Sequence, residues 1–442
     1  MTPALLHTAL AFWRTKRLAR RLQTHRDVIA WRDRQLDRFL RKAIGKVPFY
    51  ADHGADRLDE LPIIDKSTLL AHFDRLNTKG VSQHQVREAL DRNEQHAGGL
   101  LIGQSTGTSG NRGLFVISEA ERFTWLGVML AKTLPDFPFV RHRVAVFLPG
   151  YSHLYASASA IGRLTVRFFD LSLGVDRWRA DLCAYTPDTL IAPPKVLRTL
   201  AETGSVHPTH VFSGAEVLDP LDRAVIESGF GVRVREIYMA TEGLFGVACA
   251  EGVLHLAEDV VAFEWAPVDG SPDLATPIVT DFTRRTQIMA RYRMNDLLRL
   301  SKAACRCGSP LQAVAAVEGR QDDVFHLCDR SGAGLVLVTP DVIRNAVVDA
   351  DRRIQDFRVI QTGANCIDLA LDAKLAPDAA AAASAALRRA LEVAGAADVE
   401  ITLKSGWEPP MERKLRRVRR AWNQMEVRSR SAVLTHASET AL

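Results

Sequence analysis

The 442-residue chain has no run approaching the roughly 18 consecutive apolar residues that cross a bilayer. No transmembrane helix is expected, although 47% of the residues are hydrophobic and can bury a large core. Cysteine is scarce, with six in the chain. That argues against a disulfide framework and for a reducing, cytoplasmic setting. The apolar opening MTPALLHTALAFW comes before the first charges, the reverse of a signal peptide. Aromatic residues make up only 7% and form no platform interleaved with basic residues, so nucleic acid is a poor partner. No internal repeat is evident, and the length favours two or more domains.

Positive charge is present but uneven. The net charge is +5, yet residues 13–42 alone hold 11 Lys/Arg and 3 Asp/Glu. Leu18 and Leu22, then Leu36, Phe39 and Leu40, fall at helical spacing. The plain reading is a pair of amphipathic helices with solvated arginines. The sharper reading is peripheral contact with an anionic membrane surface or an acidic carrier protein.

The stretch Leu101–Ser118 reads LIGQSTGTSGNRGLFVIS. Two strand-like apolar runs flank a loop of Ser105, Thr106, Gly107, Thr108, Ser109, Gly110, Asn111, Arg112 and Gly113. Glycines allow successive backbone N–H groups to approach a ligand, hydroxyls add donors, and Arg112 adds fixed charge. Such chemistry suits a polyphosphate. No Gly-Lys-Ser/Thr closes the loop, so it is not a Walker A motif. A hairpin turn is the alternative, for which nine residues are long.

Further along, strands are expected at Val144–Leu148, Leu164–Leu171, Thr189–Ala192, His210–Phe212 and Pro277–Thr280. Helices are expected at Pro194–Leu200 and Leu221–Glu227. The alternation argues for an α/β fold with a largely parallel sheet. A smaller unit is expected beyond Gly319-Arg320-Gln321-Asp322-Asp323. It has strands at Phe357–Gln361, Cys366–Leu371 and Val399–Lys404. Between them lies an Ala-rich helix, Pro377–Ala394, with Leu387, Leu391 and Val393 on its buried face.

Several short blocks follow one another in order: LPIIDK, STGTSGN, Ser213-Gly214-Ala215-Glu216, YMATEG, RYRMND and GRQDD, with Lys414 in the basic tail. This series resembles the adenylate-forming superfamily of acyl-CoA synthetases, peptide-synthetase adenylation domains and luciferases. Within it, the chain is similar to the phenylacetate–CoA ligase branch, which also holds coenzyme F390 synthetases and bacterial indoleacetate–lysine synthetase. The resemblance implies an α/β fold: a large N-terminal adenylate-forming domain with mixed sheets and helices, and a small α+β C-terminal lid. The expected divisions are a basic helical region over residues 1–95, a nucleotide- and acid-binding core over 96–319, and a mobile C-terminal domain over 320–442.

The resemblance also implies a chemistry. A carboxylic acid, aryl or small and hydrophobic, is activated by ATP and Mg²⁺ as an acyl-adenylate. It then passes to a thiol of CoA or of a carrier protein. Related enzymes transfer instead to an amine, or move AMP onto a phenolic hydroxyl. By this likeness Ser105–Arg112 wraps the β- and γ-phosphates, and Thr241 meets the α-phosphate. Glu242 holds Mg²⁺, since a hard cation prefers oxygen ligands. Tyr238, Met239, Ala240 and the Ser213–Glu216 turn flank adenine. Asp296 accepts both ribose hydroxyls, and Arg320 contacts ribose or phosphate. Asp322 is the hinge, and Lys414 reaches the carboxylate and the bridging oxygen. Tyr151, His153 and Trp125 are expected to line the acid pocket. Structural roles compete for individual residues: Glu242 could cap a helix, Asp296 could pair with its arginine neighbours, and Lys414 could belong to a solvated tail.

Cys305-Arg306-Cys307-Gly308 is a close thiol pair, with Cys249 and His255 upstream. The four would form a Cys₃His set suited to tetrahedral Zn²⁺. Read alone, the Cys-x-Cys spacing is tighter than the usual knuckle and the plainer reading is loop cysteines. Some relatives in the same branch carry a Cys-Pro-Cys-Gly at this place with a Cys and His upstream, which implies structural zinc. Cys183, Cys328 and Cys366 are expected to be packing residues. The sequence is compatible with a homodimer and does not require one.

Overall fold

The computed structural model describes residues 3–54, 57–104, 113–148, 160–332, 334–406 and 414–422. Among these, one 13-stranded sheet forms the backbone of the molecule. Its strands His142–Leu148, Leu164–Asp170, Thr189–Ala192, His210–Gly214 and Val234–Ala240 pair in parallel. Val144–Phe147, Leu190, Ala192, Val211 and Phe212 are buried at their centre, as in a sheet covered on both faces. Ala145, Phe147, Leu190 and Val211 lie between this sheet and the helices Pro194–Thr203 and Pro220–Phe230. The expected parallel order ends at Val234–Ala240. From Gly243–Ala248 through Leu254–Leu256, Ala313–Arg320, Asp296–Leu300, Ser271–Asp281 and Val261–Val268 every pairing is antiparallel. Short hairpins join Val234–Ala240 to Gly243–Ala248, Gly243–Ala248 to Leu254–Leu256, and Val261–Val268 to Ser271–Asp281, with no crossover helix needed.

A separate apolar core lies entirely within residues 325–418 and includes Phe325, Phe357, Val359, Leu369, Leu387 and Val418. It sits around a four-stranded sheet ordered Glu400–Ser405, Cys366–Leu371, Phe357–Gln361 and Val418–Arg420. The Ala-rich helix forms over Pro377–Val393 and buries Ala379, Ala383, Leu387 and Leu391. This four-residue spacing puts one stripe inward. Val393 was expected on that stripe but is 89% exposed, because two residues past Leu391 is the opposite side of a helix. Cys183 and Cys366 are likewise exposed rather than packed.

The basic N-terminal segment forms two helices, Pro3–Arg21 and His25–Lys42. Thr24 and Asp27 cap the second reciprocally. Trp31 Nε1 ties it to the sheet by donating to the Asp259 carbonyl at 3.0 Å. The first helix lies on Glu119–Thr133, where Thr8 Oγ1 donates to the Phe123 carbonyl at 3.2 Å. Phe12 meets Phe137 edge-to-face at 4.9 Å. Gly127 permits this approach. A Cβ there would lie 2.3 Å from the Thr8 carbonyl oxygen and 2.8 Å from Ala11 Cβ.

That contact reverses an ordinary expectation. In an open helix Gly→Ala stabilises by about 1 kcal/mol, but overpacking costs about 1–3 kcal/mol. Gly127→Ala should therefore lower Tm in thermal unfolding. An unchanged or higher Tm would show that the two helices do not pack this closely.

Candidate active site

The carboxyl ends of the parallel strands open into a cavity of about 2760 Å³. This is the end of an open α/β sheet where ligands bind. The turn Ser213–Glu216 sits at the end of His210–Gly214, and Thr241–Glu242 at the end of Val234–Ala240. From the antiparallel half, Asp296 begins one strand and Arg320 ends its neighbour, and the two are register partners. Ser213, Gly214, Ala215, Glu216, Tyr238, Met239, Ala240, Thr241, Glu242, Asp296, Arg320 and Asp322 all line this cavity, as does Lys414. The structure thus gathers residues that lie up to two hundred positions apart in the chain.

Hydrogen bonds hold the acidic groups in place. Tyr238 Oη donates to Asp296 Oδ2 at 2.9 Å, and Arg320 Nε lies 3.7 Å from Asp296 Oδ1. Burial pushes the Asp296 carboxyl up, while Arg320 and the Tyr238 hydroxyl draw it back. Thr241 Oγ1 donates to Glu242 Oε2 and Tyr292 Oη to Glu242 Oε1, both at 2.9 Å. Burial, then the neighbouring carboxylates, raises both tyrosines, keeping them protonated donors. Arg284, which also lines the cavity, donates to the carbonyls of Thr241 and Glu242 and so fixes the turn.

A second charge cluster faces the first. Glu216 Oε1 is 3.4 Å from Lys195 Nζ, both nearly buried. Burial raises the Glu216 carboxyl, and Lys195, the Leu415 backbone and Lys414 oppose this. Burial, then Arg320, lowers the Lys414 ammonium, whereas Glu216, Asp296 and Glu242 favour its charge. Lys414 is therefore held in the cavity among the site's acids and is not part of a solvated tail. Its neighbours explain the placement. Arg416 pairs with Asp323, and Arg417 bonds Asp222 at 2.7 and 2.9 Å and Asp356 at 2.7 Å.

One lobe of the cavity is apolar. Trp125, Leu126, Leu148, Phe168, Ile191 and Met239 line it and remain half-buried. Ser105–Arg112, Tyr151 and His153 lie outside the described residues. The strands Leu100–Gln104 and Leu114–Ile117 pair and bring Gln104 and Gly113, either side of the Gly/Ser loop, to the cavity wall. Asp322 is exposed and accepts from Asn295 Nδ2 at 2.6 Å. Sequence reasoning did not assign Tyr292, Arg284, Lys195 or Arg417 to the site. Tyr292 was within reach, since it lies inside the Arg-Tyr-Arg block.

About the end of Gly243–Ala248, Cys249, His255, Cys305 and Cys307 come together, with one ligand atom from each within 4.8 Å of the others. Cys249 Sγ lies 3.8 Å from Cys305 Sγ, and Cys307 Sγ 3.4 Å from His255 Nε2. His255 Nδ1 lies 3.0 Å from the Leu311 carbonyl. An N–H at Nδ1 leaves Nε2 as the ligand, the usual outer-shell arrangement. The Ser309 N–H points at Cys307 Sγ at 3.4 Å, as suits a thiolate. Burial pushes the Cys307 thiol up to about 12 where no cation shares the site. Three thiols and an imidazole at this spacing fit Zn²⁺ with no open position. Metal analysis of protein purified without added zinc should give about one zinc per chain. A parent with no bound zinc, and a Cys305→Ser, Cys307→Ser variant as stable as the parent in chelator, would together refute the site.

Sheet order, cavity and strand ends define the class: the chain has the fold of the adenylate-forming ligases. It is similar to 2-hydroxyisobutyryl-CoA ligase in the postadenylation state with 2-HIB-AMP, at 17% identity over 91% of each chain and a TM-score of 0.63. The same ligase in an open conformation matches at 15% identity over 88% of this chain and 90% of that one, with a TM-score of 0.54. An acyl acid amido synthetase matches at 13% identity over 92% and 95%, also at 0.54. At these identities the likeness establishes the fold. No family model matches the chain, and no curated protein matches it.

Proposed function

We propose that this protein activates a carboxylic acid with ATP as an acyl-adenylate and passes the acyl group to a thiol, of CoA or of a carrier protein. The observation that carries this reading is the convergence of Thr241, Glu242, Asp296, Arg320 and Lys414 on one cavity. In the reaction, a carboxylate oxygen attacks the α-phosphorus, the α–β bridging bond breaks, and pyrophosphate leaves. Catalysis is then positioning and charge stabilisation.

Each residue has a task suited to its surroundings. Asp296, held by Tyr238, accepts the ribose hydroxyls. The Ser213–Glu216 turn and the Tyr238–Ala240 strand end flank the base. Thr241 Oγ1 donates to the α-phosphate, Arg320 neutralises phosphate, and Ser105–Arg112 takes the β- and γ-phosphates. Lys414 orients the incoming carboxylate and offsets charge growing on the bridging oxygen. Glu242, its two oxygens oriented by Thr241 and Tyr292, would hold Mg²⁺, which supplies charge neutralisation on the phosphates when bound. The Cys₃His set would hold zinc with a structural role. The apolar lobe supports an aryl or other hydrophobic acid. An amine acceptor is the second reading, favoured by the amido synthetase among the similar structures.

ATP–pyrophosphate exchange across a panel of acids tests the reaction, and the acceptor follows from product analysis with CoA, carrier protein and amines. No exchange with any acid would count against adenylation.

Replacing Glu242 by Gln keeps the shape and removes the charge. Exchange should fall by about 100-fold or more, as when one electrostatic stabiliser is lost, while Tm changes little. Normal exchange by the variant would remove Glu242 from the metal role.

Lys414→Ala separates the half-reactions. It should abolish exchange yet still transfer the acyl group from pre-formed acyl-adenylate. Loss of both, or of neither, would rule out a role confined to adenylation.

A further inference from the structure

The outward face of the first helix is used by nothing described so far. Leu6, Leu10 and Trp13 follow one another at helical spacing and lie on one stripe. They are 45%, 61% and 49% exposed. Beside them stand Phe139, 70% exposed, and Val140. The Trp13 and Phe139 rings are 6.3 Å apart, so helix and loop share one apolar ridge. The same stripe continues into Arg17 and Arg21 and turns basic. With Arg14, and with Arg34 and Arg38 of the second helix, these arginines line a groove of about 400 Å³ beside Trp31. All five are exposed, and none pairs with a carboxylate among the described residues. Helix Pro3–Arg21 contains no acidic residue at all.

We propose that this ridge and its arginine flank dock the protein on the surface of an anionic lipid bilayer. Leucine, tryptophan and phenylalanine enter the boundary between headgroups and acyl chains, and the arginines meet lipid phosphates. Tryptophan is at home at this depth. Charge decides between occupants. Residues 13–42 carry eight net positive charges while the whole chain carries five, so two copies meeting through this face would repel. An acid-free helix with a solid row of arginines fits a uniform sheet of phosphates better than a protein surface of mixed charge. No helix among the described residues is long and apolar enough to cross a membrane, so the protein would lie on the bilayer rather than span it.

The test uses the full chain and vesicles of phosphatidylcholine, alone or mixed with phosphatidylglycerol, in a sedimentation assay. The protein should pellet with the mixed vesicles, stay in solution with phosphatidylcholine alone, and release as salt rises. Leu10→Asp with Phe139→Asp, and separately Arg17→Glu with Arg21→Glu, should each weaken binding about tenfold or more at unchanged Tm. These sites lie outside the cavity, so ATP–pyrophosphate exchange should be unaffected, and a failure of the adenylation reading would leave this result intact. No binding to the mixed vesicles overturns the proposal and leaves the ridge to an acidic protein partner. Equal binding to both vesicle types, or a dimer that Leu10→Asp dissolves, overturns it as well.

Discussion

A buried ion cluster decides where the last described strand lies, and with it the chemistry of the cavity. Arg417 reaches Asp222 on the helix Pro220–Phe230 and Asp356 in the C-terminal unit. Arg198 bonds the same Asp222 at 3.1 Å and the Gln355 carbonyl at 3.2 Å. Asp222 is almost fully buried. A carboxylate there is tolerable only when paired and hydrogen-bonded, because removing one partner of a buried pair costs about 3–5 kcal/mol. Two guanidiniums on one carboxylate meet that requirement and join the two units. Lys414 lies three residues before Arg417, so the cluster sets its position. Charge pairing orients the C-terminal unit together with a small apolar cluster of Val268, Leu274, Leu297 and Val324. Arg299 and Arg344 on Glu318, and Arg299 on Asp341, repeat the device on the other side.

The sheet's change of hand-over, from parallel crossovers to antiparallel hairpins, makes the cavity possible. Parallel strands all present carboxyl ends on one edge, and the turns after Gly214 and Ala240 point their side chains there. Antiparallel strands present alternate ends, so Asp296 can begin a strand beside the end of another at Arg320. The acid and the arginine face each other because of register, in a strand pair whose register shifts between Leu297 and Leu298 and again between Arg299 and Leu300. Neither half could assemble the site alone.

Local pattern made much of this legible. The strand runs of the parallel half, the helices after Pro194 and Pro220, and the order of the short motifs all appear where the sequence places them. What it could not show is what depends on long-range pairing. By composition alone the tail KLRRVRR is compatible with a solvated basic run, yet Arg416 and Arg417 pair with the buried Asp323 and Asp222 and the half-buried Asp356. Nothing in the local sequence of Asp222 reveals that it will be desolvated. Of the antiparallel half, local pattern shows only Pro277–Thr280, for a related reason: Gly243–Ala248 and Leu254–Leu256 are buried, and buried strands lose the alternation that marks a hairpin. The four zinc-type ligands were legible as residue types. Their meeting depends on pairing between Leu254–Leu256 and Ala313–Arg320.

The charge balance of the site explains why one carboxylate there should carry a cation. Asp296 is already matched by Arg320, and Glu216 by Lys195. Among the described residues Glu242 receives only neutral donors, from Thr241 and Tyr292. Each of those bonds occupies one lone pair per oxygen and leaves others open, since a carboxylate has about four acceptor positions. Lys414 balances part of the remaining charge, but it is shared among Glu216, Asp296 and Glu242. On the proposed reading, a triphosphate in this cavity would add several negative charges beside an acid with no dedicated cation among the described residues. Repulsion in a low-dielectric site would then oppose binding. On the adenylation reading, Glu242 would hold a divalent ion that supplies the missing positive charge, and the hydroxyls of Thr241 and Tyr292 keep the carboxylate oriented.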